Sequence, residues 1–391
     1  MRALPVMRLG EERIQKFSFE PHNGLIPEST MRWQDGLRAV AMAAGLSVSG
    51  GAPAGAVPPQ DPHSTFTVGT ATAQRGQKSL GVLTVPPGID AGYDMPVAVI
   101  QGARPGPVLA VVSGSHGSEY ASILAVEQLI TSINAADVSG TLILLPIVNV
   151  PSFEQIVPHV NPVDGKNMNR FYPGAPNGTQ TERASYVITR EVVERCDHLI
   201  DLHGGDLDEN LRPYTYWTVT GNNKQDAVSR AMAEAFGLIH IIISRDRPGD
   251  PNASRYLENT ATTRGKPSIT AEAGRSGPVD PSDVAVLVRG VRNVMAHLKM
   301  TGQSASPGQR TLWIEKLITV TADQGGMFHP AVERDREVTA GMKIGVVTDY
   351  LNRPLQEIAA PEAGLILFVR ALPSVKRGDT IASIGVVKKG R

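Results

Sequence analysis

The chain has 391 residues, which suggests two or three domains, and 41% of them are hydrophobic, enough for a sizeable core. Its 38 Lys and Arg balance 38 Asp and Glu, and a formal net charge of zero argues against a general nucleic-acid or polyanion binder. A single cysteine, Cys196, excludes an intramolecular disulfide and every multi-cysteine metal site, so a metal here must sit on His, Asp or Glu.

Residues 1–65 read as an arm. Segment 31–56 has the order of a weak export signal: Met31-Arg32, the apolar stretch Leu37–Val48, then small residues. Arg38 interrupts the apolar run and Asp35 sits where a basic segment belongs, so the reading leans to the cytoplasm and leaves export open. Residues 50–62, GGAPAGAVPPQDP, form a Gly/Pro/Ala linker without periodicity. From 66 to 305 strand-like and helix-like segments alternate. Val108–Val112, Leu142–Val150, His198–Leu202, Tyr214–Thr220, Ile239–Ser244 and Pro267–Ala271 read as strands. Ala121–Ile133, Ala184–Arg195, Ala227–Phe236 and Pro281–Met300 read as helices. This alternation predicts an α/β fold, a mainly parallel mixed sheet flanked by helices. Residues 306–391 hold short strands between Gly and Pro turns with no long helix, which predicts a small all-β domain. No run of about 18 apolar residues offers a membrane span.

Ligands in open α/β sheets bind at the carboxyl ends of strands, so chemistry is sought just after each one. His116 and Glu119 follow the first buried strand, three apart on a Gly-rich loop, a spacing that lets both face one point. His203 follows the strand at 198–202 and completes a His2Glu set. Such a set suits one catalytic Zn2+ with a fourth position left for water, although Mn2+, Co2+ and Fe2+ take similar donors. The bland alternative for His203 is a loop histidine at the Gly204-Gly205 turn. Asp201, two residues earlier, shares its strand face and either orients a ligand histidine or satisfies loop amides. Glu272 ends an apolar strand, where burial would raise its pKa and suit it to general base catalysis; the bland alternative is an N-cap or loop carboxylate. Asn169 and Arg170 place an amide beside a guanidinium fork, a pair suited to a substrate carboxylate.

In chain order, GSHGSEY, ILLPIVNVPSF, NPVDGKNMNRFYPG, IDLHGG and ITAEAG resemble the succinylglutamate desuccinylase/aspartoacylase family, within the zinc carboxypeptidase-like metallohydrolases. The resemblance covers roughly residues 80–300. It implies Zn2+ on His116, Glu119 and His203, Glu272 as base, and Asn169 and Arg170 as the carboxylate clamp. It implies hydrolysis of a small N-acyl amino acid, and Asn149 matches an asparagine that shapes the loop after its strand. Relatives usually carry an arginine upstream of the Asn-Arg pair to polarise the scissile carbonyl. Here the stretch reads IVPHVNP and His159 stands in that place. An imidazole donates one hydrogen bond to an oxyanion and cannot reproduce a bidentate fork. Arg212 and Arg275 are the alternatives for that role.

The stretch Val347–Val387 resembles a lipoyl- or biotinyl-type barrel-sandwich without the acceptor lysine, since PEAGL has none. The expectation is a structural cover or a homo-oligomer contact, with no swinging-arm cofactor. Two rival functions stand beside the deacylase: a metallocarboxypeptidase, which needs a cleft open to long chains, and a non-catalytic binding module on the same fold.

Overall fold

A computed structural model describes residues 64–304 and 311–388. The candidate export segment, the linker and the expected domain boundary at 305/306 lie outside the described residues. β1 (Thr65–Val68) and β2 (Ala71–Gln74) form one hairpin, and β3 (Gln77–Val85) pairs antiparallel with β4 (Tyr93–Gln101). Sequence reading passes over all four. Most β3 side chains are exposed or half-buried, so QKSLGVLTV shows no apolar run and no clean alternation.

The central strands are β5 (Arg104–Ser113), β6 (Ser139–Leu145), β7 (His198–His203), the short β8 (Glu209–Leu211), β9 (Tyr214–Thr218), β10 (His240–Ser244) and β11 (Ser268–Glu272). β5 lies parallel between β6 and β7, and β7 is parallel to β11. β11 is antiparallel to β9, which makes the sheet mixed. Both faces of the middle strands are buried. Leu109 and Val111 of β5 join one core with Leu142, Leu144, Ile200 and Leu202, while Val108, Ala110 and Val112 join a second core with Ile143, Leu145 and Leu199. A strand covered on both sides reads as a continuous apolar run because neither face meets water. Each buried aliphatic contributes about 1.5–3 kcal/mol.

Six α-helices lie among the described residues: α1 (Tyr120–Ser132), α2 (Val150–Gln155), α3 (Gln180–Ile188), α4 (Asn223–Phe236), α5 (Leu257–Thr263) and α6 (Pro281–His297). The expected strand Leu142–Val150 is shorter than its apolar run. It stops at Leu145, before Pro146, which has no N–H to donate to a ladder. Val150 then opens α2, whose N-cap Asn149 accepts a hydrogen bond from the Ser152 N–H. The expected helix 184–195 begins earlier, at Gln180, because Thr179 and Glu182 form a capping box.

The C-terminal strands are β12 (Leu312–Thr321), β13 (Gly326–Pro330), β14 (Glu337–Val338), β15 (Lys343–Thr348), β16 (Pro354–Ala359), β17 (Gly364–Arg370), β18 (Ser374–Val375) and β19 (Thr380–Val387). No helix lies among the described residues after β12 begins. β12 pairs parallel with β10 and antiparallel with β19, so one 13-stranded sheet runs from the central α/β layer into this β unit. β16, β15, β13 and β18 form a separate four-stranded sheet. Leu211, Tyr214, Ile242, Ile314, Leu367 and Phe368 make a small apolar core at the junction. β8 pairs with β17, which joins the loop after β7 to the β unit.

Candidate active site

The period of two along a strand positions the site. Leu199, Asp201 and His203 share one face of β7, and Thr270 and Glu272 share the corresponding face of β11. Register sets Glu272 beside His203 on one side and beside Tyr214 of β9 on the other. Apolar packing gives way to polar side chains at these strand ends, around a cavity of about 520 Å3. His116, Glu119, His159, Asn169, Arg170, Asp201, His203 and Glu272 all line it. Asn149 lies outside the lining. It supports the loop from below, receiving through its Oδ1 the Ser152 N–H and donating from Nδ2 to the Ser115 carbonyl. Gly117 packs so closely on α2 that a Cβ would lie 2.2 Å from the Phe153 nitrogen, and its N–H donates to the Ser152 hydroxyl.

His116, Glu119 and His203 present one ligand atom each within 4.8 Å of one another. His116 Nδ1 is 2.6 Å from Glu119 Oε1, and His203 Nδ1 is 2.9 Å from Glu119 Oε2. Their far nitrogens are also held: His116 Nε2 lies 3.1 Å from Asn167 Oδ1, and His203 Nε2 lies 3.1 Å from Asp201 Oδ1. A histidine whose second nitrogen is tied to a carboxylate or amide is fixed in tautomer and ring orientation. Burial alone would raise the Glu119 carboxyl, but the imidazoles of His116 and His203 outweigh it and hold the group at about 2. Burial opposes charge on His203, yet Asp201 and Glu119 lift it well above the ordinary histidine value. Two imidazole nitrogens converging on one buried carboxylate fit a divalent metal that accepts nitrogen and oxygen donors.

Burial pushes the Glu272 carboxyl well above the ordinary carboxylate range. His203 offsets part of this, and Glu119, Glu209 and Asp201 add to it. Burial likewise raises Glu209 to about 7 and Glu258 to about 8. The cavity therefore has an acidic lining, and Arg170 is its one Arg or Lys among the described residues. The Arg170 guanidinium lies 4.7 Å from the centroid of the Tyr256 ring and donates to the Asn169 carbonyl. Asn169 is buried, with Nδ2 3.2 Å from His203 Nε2 and Oδ1 accepting from the Leu257 N–H.

His159 stands 6.1 Å from His116, ring centroid to ring centroid. Its backbone has φ +62°, and its N–H donates to Asp206 Oδ2. Nε2 is 2.7 Å from Asp208 Oδ1 and Nδ1 is 3.3 Å from Asp206 Oδ2. Burial would lower its pKa, but the hydrogen bond to Asp208 and the charges of Asp206, Asp208 and Glu209 raise it to about 9. His159, Asp208 and Glu209 form a second group with metal-ligand spacing. Arg370 Nη1, 3.1 Å from Asp208 Oδ2, already supplies positive charge there, so this second group is an ion-pair network. Neither alternative arginine lines the cavity: Arg212 pairs with Asp335 and Arg275 with Asp280.

Sequence reasoning missed Asn167, Asp206, Asp208, Glu209, Tyr256 and Glu258. Asn167 stands inside the motif NPVDGKNMNRFYPG and Asp206 directly follows IDLHGG, and that proximity was the available signal. Glu258 and Tyr256 reach the cavity from α5 and the loop before it, where no motif marks them.

Residues 105–298 match the succinylglutamate desuccinylase/aspartoacylase catalytic domain. The chain belongs to that family, a class of hydrolases acting on amide bonds. It is 28% identical over 299 residues to an N-alpha-acetyl-L-2,4-diaminobutyric acid deacetylase of Halomonas elongata, covering 75% of this chain and 86% of the relative. A succinylglutamate desuccinylase/aspartoacylase structure from Rhodobacter sphaeroides superposes with a TM-score of 0.71 at 24% identity, over 80% of this chain and 96% of that one. A product-bound ectoine utilization protein from Ruegeria pomeroyi gives a TM-score of 0.72 at 24% identity, over 79% and 95%. The two structural likenesses carry the fold.

Proposed function

We propose that this protein is a zinc-dependent deacylase that cleaves a small N-acyl amino acid to a carboxylate and a free amine. The observation that carries the reading is the convergence of His116, Glu119, His203 and Glu272 on one cavity. One Zn2+ per chain, held by His116, Glu119 and His203, would act as a Lewis acid and lower the pKa of a bound water towards ~7.

Each remaining step falls to a named side chain. Glu272, whose burial strengthens its carboxylate as a base, takes in its ionised form the proton from the attacking water and returns it to the leaving amine. Arg170 and Asn169 hold the carboxylate of the amino acid, with Tyr256 backing the guanidinium. His159 brings positive charge to the cavity wall, towards the carbonyl oxygen as it becomes negative. Its Nε2 is engaged by Asp208 at 2.7 Å, and Nδ1 makes the longer contact, 3.3 Å to Asp206. Asp201 and Asn167 fix the far nitrogens of His203 and His116.

Cavity shape favours a small substrate over a peptide. Leu317, Thr319, Phe368, Thr380 and Ser383 of the β unit form part of the lining, so the β unit walls one side of the site. A metallocarboxypeptidase acting on long chains needs that side clear. The test is a parallel assay of N-acetyl amino acids, including basic ones, against a peptide library. Release of free amine from the acyl amino acids with the peptides intact supports the reading, and the reverse pattern overturns it.

A further inference from the structure

We infer that Arg370 of the C-terminal β unit is a positioning residue for the active site, acting through Asp208 to hold His159 at the cavity wall. The inference rests on the deacylase reading for its kinetic consequences, and on geometry alone for the positioning. Arg370 is the last residue of β17, and its guanidinium is fixed on three sides. Nε donates to the Ser374 carbonyl, Nη2 lies 3.3 Å from Asp379 Oδ2, and Nη1 lies 3.1 Å from Asp208 Oδ2. Its side chain is only 13% exposed and that of Asp208 16%, so solvent screens their pair weakly. The backbone reinforces the link: Arg370 is in register with Glu209, and the Ala371 N–H donates to the Asp208 carbonyl.

Asp208 passes this constraint on. One carboxylate oxygen takes Arg370 and the other takes His159 Nε2 at 2.7 Å. The backbone of His159 sits in the left-handed region at φ +62°, where a non-glycine residue needs external support. Asp206 supplies part of that support through the His159 N–H, and is itself held by the Ser118 hydroxyl and the Leu207 N–H. The β unit therefore does more than wall the cavity. It anchors the aspartate that fixes the ring standing next to His116.

The test uses full-length, metal-loaded protein and four variants: Arg370→Met, Arg370→Lys, His159→Ala and the double variant Arg370→Met/His159→Ala. Metal content and melting temperature are recorded for each. With an N-acetyl amino acid that the wild type hydrolyses, Arg370→Met lowers kcat by about 10- to 100-fold while KM stays within about twofold, the scale expected for a displaced active-site group. Arg370→Lys, which can still reach Asp208, recovers part of the loss. In the His159→Ala background, Arg370→Met changes kcat by less than about twofold, the non-additivity expected of groups in one network. An equal loss in both backgrounds, or no loss in the first, overturns the inference. A second readout does not need turnover: the hydrogen-bonded Nε2 proton of His159 in the histidine side-chain NMR spectrum. Positioning predicts that this signal persists in the wild type and in Arg370→Lys and broadens or shifts in Arg370→Met. If it is unchanged in Arg370→Met the inference fails, whatever the substrate proves to be. Absence of all turnover in the wild type would count against the deacylase reading alone.

Discussion

Glu258 offers a quantitative test of the cavity's electrostatics. It is the second residue of α5, is 6% exposed, and its carboxylate oxygens accept from the hydroxyls of Thr218 and Ser268. Burial raises its pKa from an ordinary 4.5 to about 8, and the nearby Asp201 adds to the shift while the hydroxyls oppose it. Between these values the unfolded chain has lost the proton and the folded chain keeps it. The folded state then binds more protons, so its stability falls as pH rises through the window from 4.5 to about 8. A shift of that size costs at most about 5 kcal/mol, at 1.36 kcal/mol per pKa unit. Glu258→Gln keeps the shape and removes the titration. The variant should gain on the wild type as pH rises from 5 to 9, by roughly 5 to 10 °C in melting temperature. Calorimetric melts at pH 5, 7 and 9, with metal content held constant, read this directly. A melting-temperature difference that does not change with pH would show that Glu258 is already ionised in the fold and would refute the reasoning.

Glu272→Gln should keep metal at wild-type stoichiometry and lower kcat by a factor on the order of 10²–10⁴, as loss of a general base does; near-normal turnover would remove Glu272 from that role. Gly117→Ala should displace the loop carrying His116 and Glu119, because its Cβ would lie 2.2 Å from the Phe153 nitrogen, and metal analysis should find occupancy well below that of the wild type. Arg183 is buried and donates to the carbonyls of Pro86, Gly178 and Ala91 and to the Asp90 carboxylate. Arg183→Met should cost about 3–5 kcal/mol in denaturant unfolding, since it strands these acceptors. Chelation should lower the melting temperature of the wild type and metal readdition should restore it, whereas His116→Ala should respond to neither.

Much of this fold was legible because its central strands are buried on both faces. Runs such as VLAVV and HLIDL announce themselves without context, and the rule that ligands gather at strand ends then pointed to His116, Glu119, His203 and Glu272. The first two hairpins were not legible, because β1 and β2 are only four residues each and β3 shows neither an apolar run nor a clean alternation. Leu142–Val150 misled at one end because apolar content alone does not register that Pro146 breaks a ladder. The partners of the site residues were the least readable. Asn167 meets His116 across 51 positions, and Asp208 meets His159 across 49. Arg370 lies farther still, at the end of β17, whose apolar run GLILFV marks a buried strand and says nothing of a site. The Arg370–Asp208 contact is created by β8 pairing with β17, and no local pattern encodes it.

The central claim is that a metal on His116, Glu119 and His203 drives hydrolysis of an N-acyl amino acid. The most direct measurement is the rate of free-amine release from a panel of N-acetyl amino acids, before chelation, after complete metal removal, and after Zn2+ is restored. The account predicts turnover on at least one member of the panel, its loss on chelation, and its return with about one Zn2+ per chain. Turnover that survives complete metal removal, or none from any member with the metal bound, would contradict it.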